Sequence, residues 1–217
     1  MEVQTKGMPN RDALFGGSFD PPHKAHIQCL QQLLESGNFD RIFVIPSKFP
    51  PGKEATAPFE TRLAWVKDCF KEPGFEVLEW EAPATQSVFA KEIVEKFQRK
   101  YRNSRLFWIL GEDQFSQLEF WQQIDSYAGS LEWFVLPRGS STEARAAGIL
   151  SKRLLASSCS YEWALNTARL ELSSTEIRER CSKPRAEQDE DLRDALHPAI
   201  WKSVIQTYRD IRKGGQT

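Results

Sequence analysis

Two of the chain's three histidines fall in one short stretch, "FGGSFDPPHKAH", Phe15 to His26. Gly16 and Gly17 lack a Cβ, so an anion can come close to the backbone N–H groups there. His23 and His26 are three apart, and Pro22 stands where a first helical turn would open. That spacing puts both imidazoles on the same side of a helix start. Imidazoles beside exposed N–H groups suit the binding and polarisation of phosphoryl oxygens. A second stretch, "SSTEIR", brings hydroxyls, a helix start and a guanidinium together between Ser173 and Arg178. A serine or threonine can cap that helix, with Glu176 closing a capping box. Arg178 then sits where a cation would meet the same anion. A third stretch, Gly111-Glu112-Asp113, follows the apolar run "RLFWIL".

Taken singly, each feature has a plainer explanation. His23 reads as a surface loop residue, His26 as a half-buried helical histidine, and Arg178 as a solvated arginine. Neither GxxxxGK[ST] nor GxGxxG is present at a strand end, so the common NTPase and dehydrogenase readings fail. Two histidines one turn apart could ligate zinc, but no third histidine or carboxylate is well spaced, and no metal site is expected. Cys29, Cys69, Cys159 and Cys181 show no CxxC spacing and read as idle thiols rather than a disulfide framework.

Elements must hold these stretches together, and the apolar pattern supplies them. "ALF" before Gly16, "RIFVIP", "FEVLEW", "RLFWIL" and "LEWFVLP" read as strands, several of them continuous apolar runs buried on both faces. Ile27, Leu30, Leu33 and Leu34 repeat at helical spacing and stop at Gly37. "FETRLAWVKDCF", "SVFAKEIVEKFQRKY" and "QLEFWQQIDSYA" also read as helices, and "SKFPPGKEATAP" as a loop. After Arg138 the expectations are a helix in "TEARAAGILSKRLLA", mixed structure in "YEWALNTARLEL", and a polar connector in "SKPRAEQDEDL". The end reads as helix, proline-containing break, helix. Alternating strands and helices predict an α/β fold: a Rossmann-like, doubly wound parallel sheet with a small C-terminal helical segment. One domain is expected over residues 1–217, with its core at about 12–180 and the helical segment at about 190–213. Ligands of such sheets bind at the carboxyl ends of the strands, where all three stretches fall.

The bulk composition agrees. The chain has 217 residues, 40% hydrophobic and 27% charged, with a formal net charge of −1. No global basic field invites nucleic acid. No apolar run reaches the roughly 18 residues of a membrane helix, and the N-terminus lacks a signal-peptide core. A cytoplasmic protein without membrane or nucleic-acid partners is expected; oligomeric state is left open. Most of the seven tryptophans are expected to pack in the core.

At this point a resemblance enters. "GGSFDPPHKAH" resembles the GG[ST]FDPxHxxH signature of the HxGH-type nucleotidyltransferase superfamily, "LSSTEIR" its [IL]SSTxIR signature, and "GED" its GxD. Order and spacing agree. Within the superfamily the chain is most similar to the bacterial nicotinate mononucleotide adenylyltransferases, from about Ala13 to Ile211. Interior matches include "VIPSKFPPGK", "ILGEDQFSQLEFW", "FVLPRG" and "LHPAIWKSVIQTY". The resemblance implies transfer of AMP from ATP, carried with Mg²⁺, to a pyridine mononucleotide, with release of pyrophosphate, in NAD biosynthesis. It implies roles too. Gly16, Gly17, Ser18 and Phe19 form the loop holding the reacting phosphates. His23 and His26 bind ATP phosphates and stabilise the transition state. Ser173, Thr175 and Arg178 clamp the β- and γ-phosphates, and Lys53 touches phosphate. Asp113 meets the nucleotide ribose, Gly111 belongs with it to the nucleotide- and pyridine-binding residues, and Trp121 stacks on the pyridine ring. Core packing is an equal reading for Trp121. Residue reading and resemblance agree in kind: a phosphate oxygen needs no activating triad, so catalysis reduces to positioning and charge neutralisation.

Three departures from the family pattern stand out. Ala25 replaces the glycine of H-x-G-H, with little expected effect. Gly52 replaces the histidine of PPHK, removing an imidazole. Ser87-Val88-Phe89 replaces S-Y-T, whose backbone and hydroxyl groups help hold the pyridine carboxylate, with Ser87 the one side-chain hydroxyl kept. Preference for acid or amide is left open at this point. So are other phosphorylated acceptors such as phosphopantetheine, and a nucleotide-binding module without turnover.

Overall fold

The computed structural model describes residues 8–136, 160–163 and 173–214. Six strands form one parallel sheet: β1 Asn10–Gly17, β2 Arg41–Pro46, β3 Phe75–Val77, β4 Ser104–Gly111, β5 Glu132–Leu136 and β6 Ser160–Trp163. Their order is β3-β2-β1-β4-β5-β6, all pairs parallel. The fold is the Rossmann-like, doubly wound α/β sheet. Strand order reverses between β1 and β4, where such sheets open a crevice. Register brings Gly17 opposite Pro46 and Gly111 opposite Leu136, so the strands end at a common rim.

Successive side chains of a strand point to opposite faces, and the two apolar clusters divide that way. Ala13, Phe15, Ile42, Val44, Phe107 and Ile109 face one side. Helices α1 (Lys24–Glu35) and α2 (Phe59–Cys69) cover that side. So do three C-terminal helices, α5 (Ser174–Cys181), α6 (Glu190–Ala195) and α7 (Trp201–Gly214). Leu14, Phe43, Ile45, Trp108, Leu110 and Trp133 face the other side. There they meet α3 (Ala90–Lys100), the short α4 (Glu112–Phe115) and the turns after it.

The strand expected over "FEVLEW" is real only at Phe75–Val77. It is an edge strand, and after it only the Leu78 N–H still reaches Val44 O, at 2.9 Å. The helix expected over "QLEFWQQIDSYA" is instead three single 3₁₀ turns, Leu118–Phe120, Ile124–Ser126 and Ala128–Ser130. Trp121 is extended and Gln123 has φ 55°, which breaks any continuous helix. Helix α3 begins at Ala90, so Ser87 to Phe89 form its approach rather than its first turn. The polar connector holds a 3₁₀ turn at Ala186–Gln188, with Ala186 buried and Glu187 paired to Arg209 of α7. The helix expected in "TEARAAGILSKRLLA" lies outside the described residues. So do most of "YEWALNTARLEL" and Cys159.

Candidate active site

At the end of β1 the chain turns sharply. Phe19 has φ 48°, a left-handed conformation that side chains other than glycine rarely take. Its ring goes inward, 3% exposed, edge-on to Phe15 and His26. Phe19 therefore offers the site its backbone, not its side chain. The same ring explains Gly17, since a Cβ there would meet it at 3.3 Å. His23 ends the turn as the N-cap of α1, and its C=O accepts from the Ile27 N–H. The rings of His23 and His26 stack with centroids 3.8 Å apart. The helical spacing brings the two imidazoles together as expected.

Asp20 is the hub of this turn. It is 3% exposed. Its carboxylate accepts from the Thr56 N–H at 2.6 Å, the Ala57 N–H at 2.9 Å and the Tyr208 hydroxyl at 2.7 Å. Burial, and then the neighbouring Asp20 charge, push the Tyr208 phenol well above its ordinary pKa. Arg178 of α5 completes the hub. It donates to Asp20 O at 2.7 Å, stands 3.8 Å from the Asp20 carboxylate, and donates to Thr175 Oγ1 at 3.1 Å. Ser174 donates to Pro21 O at 3.0 Å. The two stretches marked in the sequence for phosphate chemistry are thus clipped directly to each other. At the start of α5, Ser173 Oγ accepts the Glu176 N–H and donates to its carboxylate at 2.7 Å, the expected capping box. The Ser173 N–H and hydroxyl hold the Glu176 carboxyl below the ordinary range.

Under the rim lies Arg62 of α2, 1% exposed. It donates to the carbonyls of Ser18, Ala57 at 3.0 Å, Ser47 at 2.7 Å and Lys48 at 3.2 Å. One guanidinium thereby fixes the loops after both β1 and β2. Burial pulls its pKa down, opposed by Asp20, Tyr208 and Glu81.

Beside this hub a cavity of about 700 Å³ opens at the β1–β4 switch point. Gly16, Gly17 and Ser18 border it, with Lys53 and Asp113 at its mouth and Trp108 and Trp121 in its wall. Trp121 stands edge-on to Trp108 and Trp133, with centroids 5.7 and 6.0 Å away. It both lines the cavity and packs on the core. Gly111 closes β4 and is the N-cap of α4, which carries Asp113. Lys53 feels desolvation first and then repulsion from Arg178; both lower its pKa, against Asp20 and Asp113. Of the two lysines in this loop, Lys48 is tied to Ala82 O at 2.7 Å, while Lys53 lines the cavity. Ser87 does not join the cavity wall, whereas its neighbours Val88 and Phe89 do. The imidazoles and Arg178 are not among the residues that line the cavity. The geometry is a two-part site: a cationic, N–H-rich shelf beside an aromatic-walled chamber.

Reasoning from the sequence passed over Asp20, Arg62, Glu81 and Tyr208. An aspartate ahead of two prolines was the available signal for Asp20. The other three carry no local mark, because their partners come from distant segments.

A switch-point crevice with paired histidines, an arginine-bearing helix and a large chamber defines a nucleotidyltransferase. The chain belongs to the cytidylyltransferase-like family, whose model matches residues 14–180. Among its relatives are proteins named "probable nicotinate-nucleotide adenylyltransferase". The one from Thermotoga maritima is 32% identical over 82% of this chain and 85% of its own length. That from Gemmatimonas aurantiaca is 32% identical over 94% and 95%. That from Pseudothermotoga lettingae is 27% identical over 92% and 97%. The fold is also that of the Plasmodium falciparum nicotinic acid mononucleotide adenylyltransferase complexed with NaAD. Its TM-score is 0.73 at 17% identity, over 91% of this chain and 95% of that one.

Proposed function

We propose that the protein transfers AMP from ATP to the phosphate of nicotinate mononucleotide, giving deamido-NAD and pyrophosphate. The observation that carries this reading is the Arg178–Asp20 clip, which sets the helix of "SSTEIR" against the "GGSFDPPHKAH" turn beside the chamber. A phosphate oxygen of the mononucleotide attacks the α-phosphorus of ATP. The new P–O bond forms as the bond to the β-phosphate oxygen breaks, and pyrophosphate leaves. No proton must be removed from the nucleophile. The burden falls on aligning two anions and neutralising the charge on the leaving group.

In this reading His23 and His26 donate to ATP phosphate oxygens, together with the N–H groups of Gly17 and Ser18. Arg178 and Thr175 hold the β- and γ-phosphates, with Lys53 across the rim. The Ser173 hydroxyl is already engaged by Glu176, which favours a backbone contribution from that residue. The chamber takes the pyridine ring against Trp121, and Asp113 at its mouth accepts from ribose hydroxyls. Among the described residues no three His, Cys, Asp or Glu side chains are grouped to hold a metal ion. We take Mg²⁺ to enter with the ATP substrate. No helix of the described residues is long and apolar enough to cross a membrane. Both substrates are soluble nucleotides, and we place the activity in the cytoplasm.

The test is pyrophosphate release with ATP, Mg²⁺ and nicotinate mononucleotide. Turnover that needs both nucleotides is expected. Tight ATP binding without turnover on any pyridine mononucleotide would sink the reading.

A further inference from the structure

Residues 49–56 make one excursion between β2 and α2, and this excursion carries Lys53 to the chamber mouth. Its first foot is Ser47–Lys48, where every polar group is engaged. The Ser47 N–H donates to Gly17 O at 2.8 Å, and the Ser47 C=O accepts from Arg62 at 2.7 Å. The Ser47 hydroxyl and the Lys48 N–H both donate to Oε2 of Glu81, each at 2.9 Å. Glu81 is itself buried in the chamber wall. The Lys48 C=O accepts from Arg62 at 3.2 Å, and the Lys48 ammonium donates to Ala82 O. The second foot is Thr56–Ala57. Both of its N–H groups donate to the Asp20 carboxylate, and the Ala57 C=O accepts from Arg62 at 3.0 Å. The same guanidinium thus reaches both feet, and through Ser18 O the turn after β1 as well.

Between its feet the excursion is stiff. Pro50 and Pro51 fix two φ angles, Gly52 has φ 73°, and the Lys53 N–H donates back to Pro50 O at 3.4 Å, as in a type II turn. Lys53 is also held against resistance. Desolvation acts first on its ammonium, and then the like charges of Arg178 and, more weakly, Arg62. Loose feet would let the excursion carry that charge away into water. The geometry points to Arg62 as a positioning residue of the reaction: it pinches the feet of the excursion together against the Ser18 turn and so sets where Lys53 stands beside the anion shelf. A guanidinium suits the task, because its planar fork of N–H groups reaches carbonyls in several directions, which an ammonium cannot reproduce. Arg62 meets no substrate in this account, and its effect on the rate passes through Lys53. The inference rests on the adenylyl-transfer reading above, in which Lys53 meets phosphate.

The test is a double-mutant cycle. Single-turnover pyrophosphate release, at saturating ATP, Mg²⁺ and nicotinate mononucleotide, is compared for the wild type, Arg62→Lys, Lys53→Met and the double variant. Rates are taken per folded molecule, with the folded fraction read by circular dichroism. Arg62→Lys is expected to slow release about tenfold in the wild-type background and less than about threefold where Lys53 is already replaced. A residue that serves stability alone would leave the rate per folded molecule unmoved, and that result overturns the assignment. So does a ratio of the two slowings below about threefold, which would mean that Arg62 does not act through Lys53. Either result leaves the proposed function standing, whereas no turnover by the wild type sinks both. Should Arg62→Lys fail to fold, Arg62→Gln, which keeps donors without the buried charge, passes through the same cycle with the same thresholds. Failure of both variants to fold would make Arg62 a residue of stability and overturn the assignment as well.

Discussion

The guanidinium of Arg178 donates to the backbone carbonyl of Asp20 across 158 residues of chain. That bond joins the two separate sequence stretches proposed to form one anion shelf. It also makes Arg178 answerable for both the shape and the charge of the shelf.

Replacing Arg178 or His23 by alanine is therefore expected to lower kcat by about a hundredfold or more, as loss of a charge-stabilising donor does. Arg178→Lys keeps the charge but cannot reproduce the fork that reaches Asp20 O and Thr175 together, and should recover only part of the rate. Single-turnover pyrophosphate release checks this. Near-wild-type rates in both alanine variants would remove the shelf from the mechanism.

Tyr208→Phe deletes one hydrogen bond to the buried Asp20 carboxylate and leaves the ring in place. A stability loss of about 2 kcal/mol is expected in urea unfolding, as for a bond to a charged group. Because Asp20 positions the turn that carries His23, KM for ATP should rise as well. A stability loss with unchanged KM would confine Asp20 to a structural role.

Ser173→Ala removes the cap of α5, and a loss of about 1 kcal/mol is expected. Since the Ser173 hydroxyl already serves Glu176, kcat should fall far less than in Arg178→Ala. An equal fall would show that the hydroxyl itself meets phosphate.

Glu81 gives a dependence on pH with a definite sign. Burial raises its pKa, against the Lys48 N–H and Ser47 hydroxyl that lower it. A carboxyl raised on folding contributes stability below its unfolded value of about 4.3 and loses it as pH rises through the folded value. Glu81→Gln has no such loss. Its urea midpoint should gain on the wild type as pH is taken from about 4 to 8. A gap that is constant or narrows with pH contradicts a desolvated carboxylate in the chamber wall.

Local features of the site were the ones legible in the sequence. The stacking of His23 on His26 follows from their spacing at a helix start, and the Ser173–Glu176 box from residue types three apart. The continuous apolar runs "RIFVIP" and "RLFWIL" announced strands covered on both faces. What stayed hidden depends on distant partners. Arg62 is one of several basic residues in the chain, and nothing nearby says that its guanidinium gathers four carbonyls from separate loops. The segment from Leu118 to Ser130 misled for a different reason. Its apolar residues fall at helical spacing, but the extended Trp121 and the left-handed Gln123 let them reach the core from separate turns. Lys48 and Lys53 looked equivalent until the Ala82 carbonyl was seen to hold one of them.

The bond between Tyr208 and Asp20 spans 188 residues. During synthesis, the strands that make the sheet leave the ribosome well before helix α7 does. A nascent chain can therefore hold a near-complete sheet while Asp20, already bonded to the Thr56 and Ala57 N–H groups, still lacks the Tyr208 hydroxyl. The turn proposed to hold phosphate is thus completed late, and a chain released before α7 would lack one of the bonds that fix it.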